Sequence, residues 1–132
     1  MEHGQQLDIQ ERTFEFAVRT IRLVNRLPPS IAGIEVGRQV VRSATSIGAN
    51  VEEADAAESK RDFIHKMSIA HKEARETRYW LRIVQASLTN DDDIGALVQE
   101  SDELVRILYA IVSKARRNLH GKLGNSSTTD DA

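Results

Sequence analysis

The chain contains no cysteine. Disulfides, thiolate nucleophiles and thiolate metal sites are therefore excluded together. It has two prolines and seven glycines in 132 residues, too few for the many turns of an all-β fold. No stretch approaches the roughly 18 apolar residues of a membrane-spanning helix. The opening MEHGQQLDIQ carries no apolar run of signal-peptide length, so the expectation is a cytoplasmic location and no membrane partner. An excess of positive charge is also missing. The formal net charge is −2 and the sequence pI about 6.1, whereas dedicated nucleic-acid binders carry a basic domain or a basic patch; only the patch remains open. There is no glycine-rich phosphate loop, no Glu-x-x-His pair of the di-iron bundle kind, and no local Ser or His nucleophile motif. His65 and His71 stand six residues apart and point to different helix faces. No cofactor and no metal are expected.

What remains is 40% hydrophobic and 29% charged residues, ordinary values for one soluble domain able to bury its own core. At about 100° per residue, the apolar positions divide into four helices. The first runs from about Asp8 to Leu27 and stops at Pro28-Pro29. The second runs from about Ser30 to Ala57. The third starts near Lys60, behind Ser59 and Asp62 in capping-box spacing, and reaches about Leu88. Thr89 to Asp93 form an acidic turn suited to a helix N-terminus. The fourth helix runs to about Leu119, where basic residues and Gly121 supply a stop signal. Helix 2 offers Val36, Val40, Ala44, Ile47, Val51 and Ala54 to a core. Helix 3 offers Phe63, Met67, Ala70, Ala74, Thr77, Leu81, Val84 and Leu88. Helix 4 offers Ile94, Leu97, Ser101, Leu104, Leu108, Ile111 and Ala115. Short connections make neighbours antiparallel. The fold class is all-α, an antiparallel up-down-up-down four-helix bundle, with a flexible segment 1–7, a domain 8–120 and a polar, disordered tail 121–132.

Helix 1 has more apolar surface than one bundle needs. Ile9, Phe16, Leu23 and Leu27 fall on one side, and Phe14, Val18 and Ile21 lie well round the wheel. The arc exceeds half the circumference, where a surface helix of a monomer needs nearer 100°. Two explanations fit such an excess: deep burial within the bundle, or burial on two fronts, the bundle and a second subunit, with Phe16, Leu23 and Leu27 as the interface candidates. On helix 3, Ile69, Trp80 and Ile83 form a second shoulder, and a Trp there suits an interface anchor. The opposite side of helix 1 carries Arg12, Arg19, Arg22 and Arg26, joined by Arg38 and Arg42 on helix 2. Arginines at these spacings are candidates for phosphate contact; no aromatic residue interleaves them to stack on bases.

A polar stripe runs beside the core face of helix 2: Ser43, Ser46, Asn50 and Glu53. Asn is disfavoured inside helices, and at a seam its usual return is register or partner choice. Asn50 is therefore expected to hydrogen-bond a neighbouring helix, through Glu73 or a backbone group.

The segment Arg42-Ser-Ala-Thr-Ser-Ile-Gly-Ala-Asn-Val-Glu-Glu53 resembles the signature R-x-A-x-S-I-x-x-N-I-x-E-G. The run Asp62 to Ala70, followed by Lys72 to Leu81, is similar to that family's second block. This is the four-helix bundle family that includes proteins encoded by intervening sequences of bacterial 23S ribosomal RNA genes. The resemblance covers about residues 10 to 119. It implies a bacterial antiparallel bundle that assembles into a homopentamer and has no known enzymatic activity. It also implies a structural role for Ser46, Asn50, Glu53 and Glu73. More distantly, the chain is similar to the accessory protein of diversity-generating retroelements, a pentameric barrel that binds nucleic acid and a reverse transcriptase. One position departs from the signature: Ala54 replaces the glycine after Glu53 and lets helix 2 continue.

Three functions are weighed. The first is a non-enzymatic oligomeric assembly or scaffold protein, a homopentameric ring whose partners are its own copies and another protein. The second is RNA or DNA binding by the assembled ring, in a ribosomal-RNA or reverse-transcriptase context. The third and remotest is a magnesium-dependent nucleotide pyrophosphohydrolase, for which Glu52, Glu53, Asp55, Glu73 and Glu76 would be the carboxylates. Its pattern is incomplete, since position 56 is Ala. The chain is therefore expected not to be an enzyme.

Overall fold

The computed structural model describes residues 8–131, with side chains described as far as Gly121. The segment 1–7 expected to be flexible lies outside the described residues, as does Ala132. Four helices follow one another: α1 (Ile9–Val24), α2 (Ile31–Asp55), α3 (Lys60–Ser87) and α4 (Asp92–Asp131).

Each helix starts at a side chain that accepts the N–H three residues on. Asp8 Oδ1 accepts from Glu11 N at 2.8 Å, Ser30 Oγ from Gly33 N at 3.0 Å, Ser59 Oγ from Asp62 N at 3.0 Å, and Asp91 Oδ1 from Ile94 N at 3.0 Å. Such caps satisfy donors that the first turn leaves free and contribute about 1 kcal/mol each. The helix ends have equally local causes. Beyond Val24, Arg26 N and Leu27 N bond back three residues to Leu23 and Val24, so α1 tightens before Pro28-Pro29 and ends earlier than Leu27. The second helix closes at Asp55 rather than Ala57, with Ala56 N and Ala57 N again bonding back three residues. Gly33 is required where it stands, because a Cβ there would collide with the Pro28 carbonyl.

The largest departure is at the C-terminus. A stop was expected at Gly121, but α4 continues as helix to Asp131. Gly121 does not take the positive φ that a terminating glycine uses. Within a helix a glycine costs only about 1 kcal/mol relative to alanine, which a flanking run of basic and small residues does not turn into a break. The stretch 121–131, expected to be a disordered tail, is thus helical backbone.

Pair contacts fix the direction of every helix. Across α1 and α2, Thr13 meets Gly48 and Val24 meets Gly37. Across α2 and α3, Ser43 meets Thr77 and Glu53 meets Lys66. Across α3 and α4, Arg78 meets Asp102 and Ser68 meets Arg116. Across α1 and α4, Arg12 meets Glu100 and Arg26 meets Asp93. In each case the partner number falls as the residue number rises, which is the mark of antiparallel packing. Among the described residues α1 does not approach α3 and α2 does not approach α4. The four helices therefore form a square, up-down-up-down, and α1 against α4 is its lightest seam.

The core follows the expected seams closely. Val40, Ala44, Ile47, Val51, Met67, Ala70, Ala74, Leu81, Val84, Ile94, Leu97, Leu104 and Leu108 are all buried. Ile64, Val105 and Val112 join them, while Phe63, Leu88, Ile111 and Ala115 pack at the margin. Two of the interior hydroxyls bond inside the bundle. Thr77 Oγ1 donates to Glu73 O at 2.7 Å and lies 2.9 Å from Ser43 Oγ, and Ser101 Oγ donates to Val98 O at 2.7 Å.

At the α3–α4 groove, the His71 ring lies 5.8 Å from that of Tyr109. Burial lowers its pKa below the usual imidazole range, and the positive charges of Arg75, Arg78 and Arg116 add to the effect. The unfolded chain therefore binds a proton that the folded protein resists. The stability associated with neutral His71 is complete above the ordinary imidazole pKa and is lost as pH falls through it toward the lower folded value. His71→Gln is expected to flatten the pH dependence of thermal unfolding between about pH 7 and 5. An unchanged profile would locate the acid sensitivity in another group.

Candidate functional site

Of the surfaces that carry the residues singled out in the sequence, two involve α1. The first is its outer, apolar side. Four residues of α1 are buried: Thr13, Phe16, Thr20 and Leu23. Phe16 and Leu23, expected as interface candidates, are only 1% and 2% exposed and belong to the core of the protomer. The correction has a simple cause. Thr13 is accepted on the core face because its Oγ1 donates to Ile9 O at 2.8 Å, so a two-threonine, two-apolar face serves as the inner one. Phe14 and Ile21 are then left outside, Phe14 with 67% of its surface exposed. With Ala17, Val18, Thr45, Gly48 and Ala49 they line a shallow, mostly apolar groove of about 350 Å³ between α1 and α2. Gly48 brings the helices close here, since a Cβ on it would stand 3.3 Å from Thr13 Oγ1. Ile34 and Ile31, the latter 86% exposed, add apolar side chains at the start of α2, where Ile34 lines a separate groove with Val24, Leu27, Gly37, Arg38 and Val41.

The other expected interface residues are half-buried. Leu27 packs on the core from the α1–α2 turn, Trp80 packs on it from α3, and Ile69 and Ile83 are partly covered. The Trp80 indole N–H donates to Glu76 Oε2 at 3.4 Å, and its ring meets Tyr79 edge-on at 5.4 Å.

The second surface is the seam where α1 meets α4. Arg12 Nε donates to Glu100 Oε2 at 2.7 Å, and Arg12 Nη2 donates to Glu100 Oε1 and Glu103 Oε1, each at 3.0 Å. These two carboxylates raise the Arg12 pKa, and the partly shielded, bidentate geometry makes this a stronger pair than a surface one. At the other end, Arg26 Nη2 donates to Asp93 Oδ2 at 2.7 Å. Between these ties stand Arg19 and Arg22, both exposed and without a carboxylate partner among the described residues. They line a pocket of about 140 Å³ with Leu23, Arg26, Asp93 and Leu97. Arg38 is exposed on α2.

The polar positions of the α2–α3 face do not converge on one point. Asn50 Nδ2 donates to Ser46 O at 2.9 Å and lies 3.3 Å from Ser46 Oγ. The expected bond from Asn50 to a neighbouring helix is replaced by one within α2, to the carbonyl one turn back. Glu73 is nearly buried and receives Arg42 Nη1 at 3.3 Å, and the same guanidinium pairs with Glu76. Glu53 receives Lys66 at 2.8 Å, which raises the lysine pKa. Three of the carboxylates weighed for magnesium are thus engaged by cations, and Glu52 and Asp55 are exposed. Among the described residues no three His, Asp or Glu side chains are placed to hold a metal ion.

A family model described as 23S rRNA-intervening sequence protein matches residues 5–110, a span that includes both sequence blocks and three complete helices. The chain belongs to the 23S rRNA-intervening sequence protein family. It is similar to a crystal structure from Bacteroides thetaiotaomicron, described as a protein with unknown function from the S23 ribosomal protein family. The two share 35% sequence identity with a TM-score of 0.67, over 78% of this chain and 96% of that one. No curated protein matches the chain. Neither the family nor the solved relative indicates a catalytic class. For this family member, no helix among the described residues is long and apolar enough to cross a membrane.

Proposed function

We propose that the chain is a non-enzymatic, self-assembling bundle of the bacterial cytoplasm, working as a homopentameric scaffold. The supporting observation is the mostly apolar α1–α2 groove lined by Phe14, Ala17, Val18, Ile21 and Ala49, with Ile34 and Ile31 also exposed at the start of α2. Large apolar side chains grouped along one face, rather than scattered, mark a contact surface. A closed ring of five pairs two different faces of the protomer. The half-buried shoulder of Ile69, Trp80 and Ile83 and the exposed Tyr79 beside it supply a second face of suitable chemistry. Five subunits, rather than two, rest on the resemblance of the sequence blocks to a pentameric family.

Native mass spectrometry on protein purified without nuclease, at about 10 μM, tests the reading. A pentamer free of nucleic acid is expected. A monomer at that concentration would overturn it.

A second reading, RNA or DNA binding by the assembled ring, is favoured by the unpaired guanidiniums of Arg19 and Arg22 and by exposed Arg38, since repetition round a ring multiplies weak phosphate contacts. Arg12, Arg26 and Arg42, weighed with them, are held by carboxylates of their own bundle. A pentamer arriving with co-purified nucleic acid would place this reading first.

A further inference from the structure

Along the α1–α4 seam, basic residues of one helix face acidic residues of the other with one gap. Arg12 meets Glu100 and Glu103, and Arg26 meets Asp93. At the level between them α4 presents Leu97 instead of a carboxylate, while α1 presents both Arg19 and Arg22. Glu15, one turn earlier on α1, is exposed and makes no ion pair with either arginine among the described residues. The result is a concave site of about 140 Å³ lined by three arginines, Arg19, Arg22 and Arg26, with Leu23 and Leu97. The one carboxylate in it, Asp93, is bound to Arg26 at 2.7 Å.

We infer that this pocket is a seat for a phosphoryl oxyanion, and that Asp93 holds it closed in the free protein by occupying Arg26. The chemistry is specific in three respects. Guanidiniums bind tetrahedral oxyanions through paired N–H donors, which a single ammonium does not reproduce. The volume suits one phosphate group, not a nucleoside. The apolar lining lowers the local dielectric and strengthens the contact with a doubly charged group. Asp93 is 70% exposed at its side chain, so it can swing to solvent when an incoming phosphate takes Arg26. The seat shares Arg19 and Arg22 with the nucleic-acid reading but does not require it. A free phosphate or phosphate monoester and the diester of an RNA backbone all present anionic non-bridging oxygens, the diester with the smaller charge.

The test is titration of the whole protein with inorganic phosphate, followed by NMR of arginine Nε–Hε signals at constant ionic strength. Wild-type protein is expected to bind in the millimolar range, about −4 kcal/mol. Asp93→Asn removes the charged partner of Arg26, whose Nη1 still donates to Arg22 O at 3.2 Å, and is expected to tighten binding about tenfold. The double variant Arg19→Ala, Arg22→Ala is expected to weaken it at least about tenfold. Both arginines are exposed and unpaired, so an unchanged circular dichroism melt shows that the variant folds. Arg19→Lys should recover only part of the loss. If Asp93→Asn binds no tighter, or if chloride displaces phosphate equally well, the inference is overturned. A ten-nucleotide RNA with and without a 5′-phosphate then separates the sources. Dependence on the terminal phosphate identifies a monoester, and equal, phosphate-competed binding identifies the diester. RNA binding that ignores both the pocket variants and added phosphate would overturn the seat as the point of RNA contact and, with it, the part of the nucleic-acid reading that rests on Arg19 and Arg22.

Discussion

Phe16→Ala is expected to remove about 3–5 kcal/mol of folding stability, measured by urea denaturation at fixed protomer concentration. The whole stability of a domain this size is about 5–15 kcal/mol, so the loss approaches unfolding. The ring is 1% exposed and belongs to the cluster of Ile47, Leu104 and Leu108. Its removal leaves a cavity that a bundle with fixed helix registers closes only in part. The same cut at Phe14, two residues away, removes a ring that is 67% exposed and creates no cavity inside the protomer. Within the protomer it is expected to cost no more than about 0.5 kcal/mol. If Phe16→Ala cost under about 1 kcal/mol but dissociated the assembly, the face of α1 buried in the bundle would have to be reassigned.

That pair of residues also shows where sequence reasoning reaches its limit. The period of helix 3 gives Met67, Ala70, Ala74, Thr77, Leu81 and Val84 by inspection, because these positions recur at alternating spacings of three and four. In α1 the apolar residues surround most of the wheel, so pattern alone leaves two orientations. The choice is made by Thr13 and Thr20. Their hydroxyls look polar in the sequence, but Thr13 returns its proton to the backbone of its own helix and can therefore line a core, whereas the buried Thr20 Oγ1 has no hydrogen-bond partner among the described residues. The α1–α4 ion pairs were beyond reach for another reason. Arg12 and Glu100 are 88 residues apart, and only the register of the folded square brings them together. The caps at Asp8, Ser30, Ser59 and Asp91, in contrast, depend on three-residue spacing, which a sequence displays directly. Gly121 was misread because the stop signal needs a positive φ as well as a glycine, and only the first of these is visible in residue letters.

The assembly reading makes the second strong demand. Phe14→Asp with Ile21→Asp is expected to convert the oligomer to monomers at about 10 μM, by native mass spectrometry and by light scattering after gel filtration. Burying a large apolar side chain in a contact contributes about 1.5–3 kcal/mol, and an aspartate at the same point must be desolvated without a partner. The penalty applies at every interface of a closed ring, so a modest effect per contact becomes complete loss of the ring. The helical circular dichroism signal should be retained, since neither residue is among the buried ones and both replacements face water in the free protomer. Thr13, Phe16, Thr20 and Leu23, which hold α1 to the bundle, are untouched. Retention of the oligomer by this variant would remove the α1–α2 groove from the contact and leave the Ile69, Trp80 and Ile83 shoulder to be tested in its place. A variant that aggregated or lost helix would be replaced by Phe14→Ser with Ile21→Ser. That pair keeps the surface neutral and should weaken assembly by at least about a hundredfold if each side chain contributes at the lower end of its range.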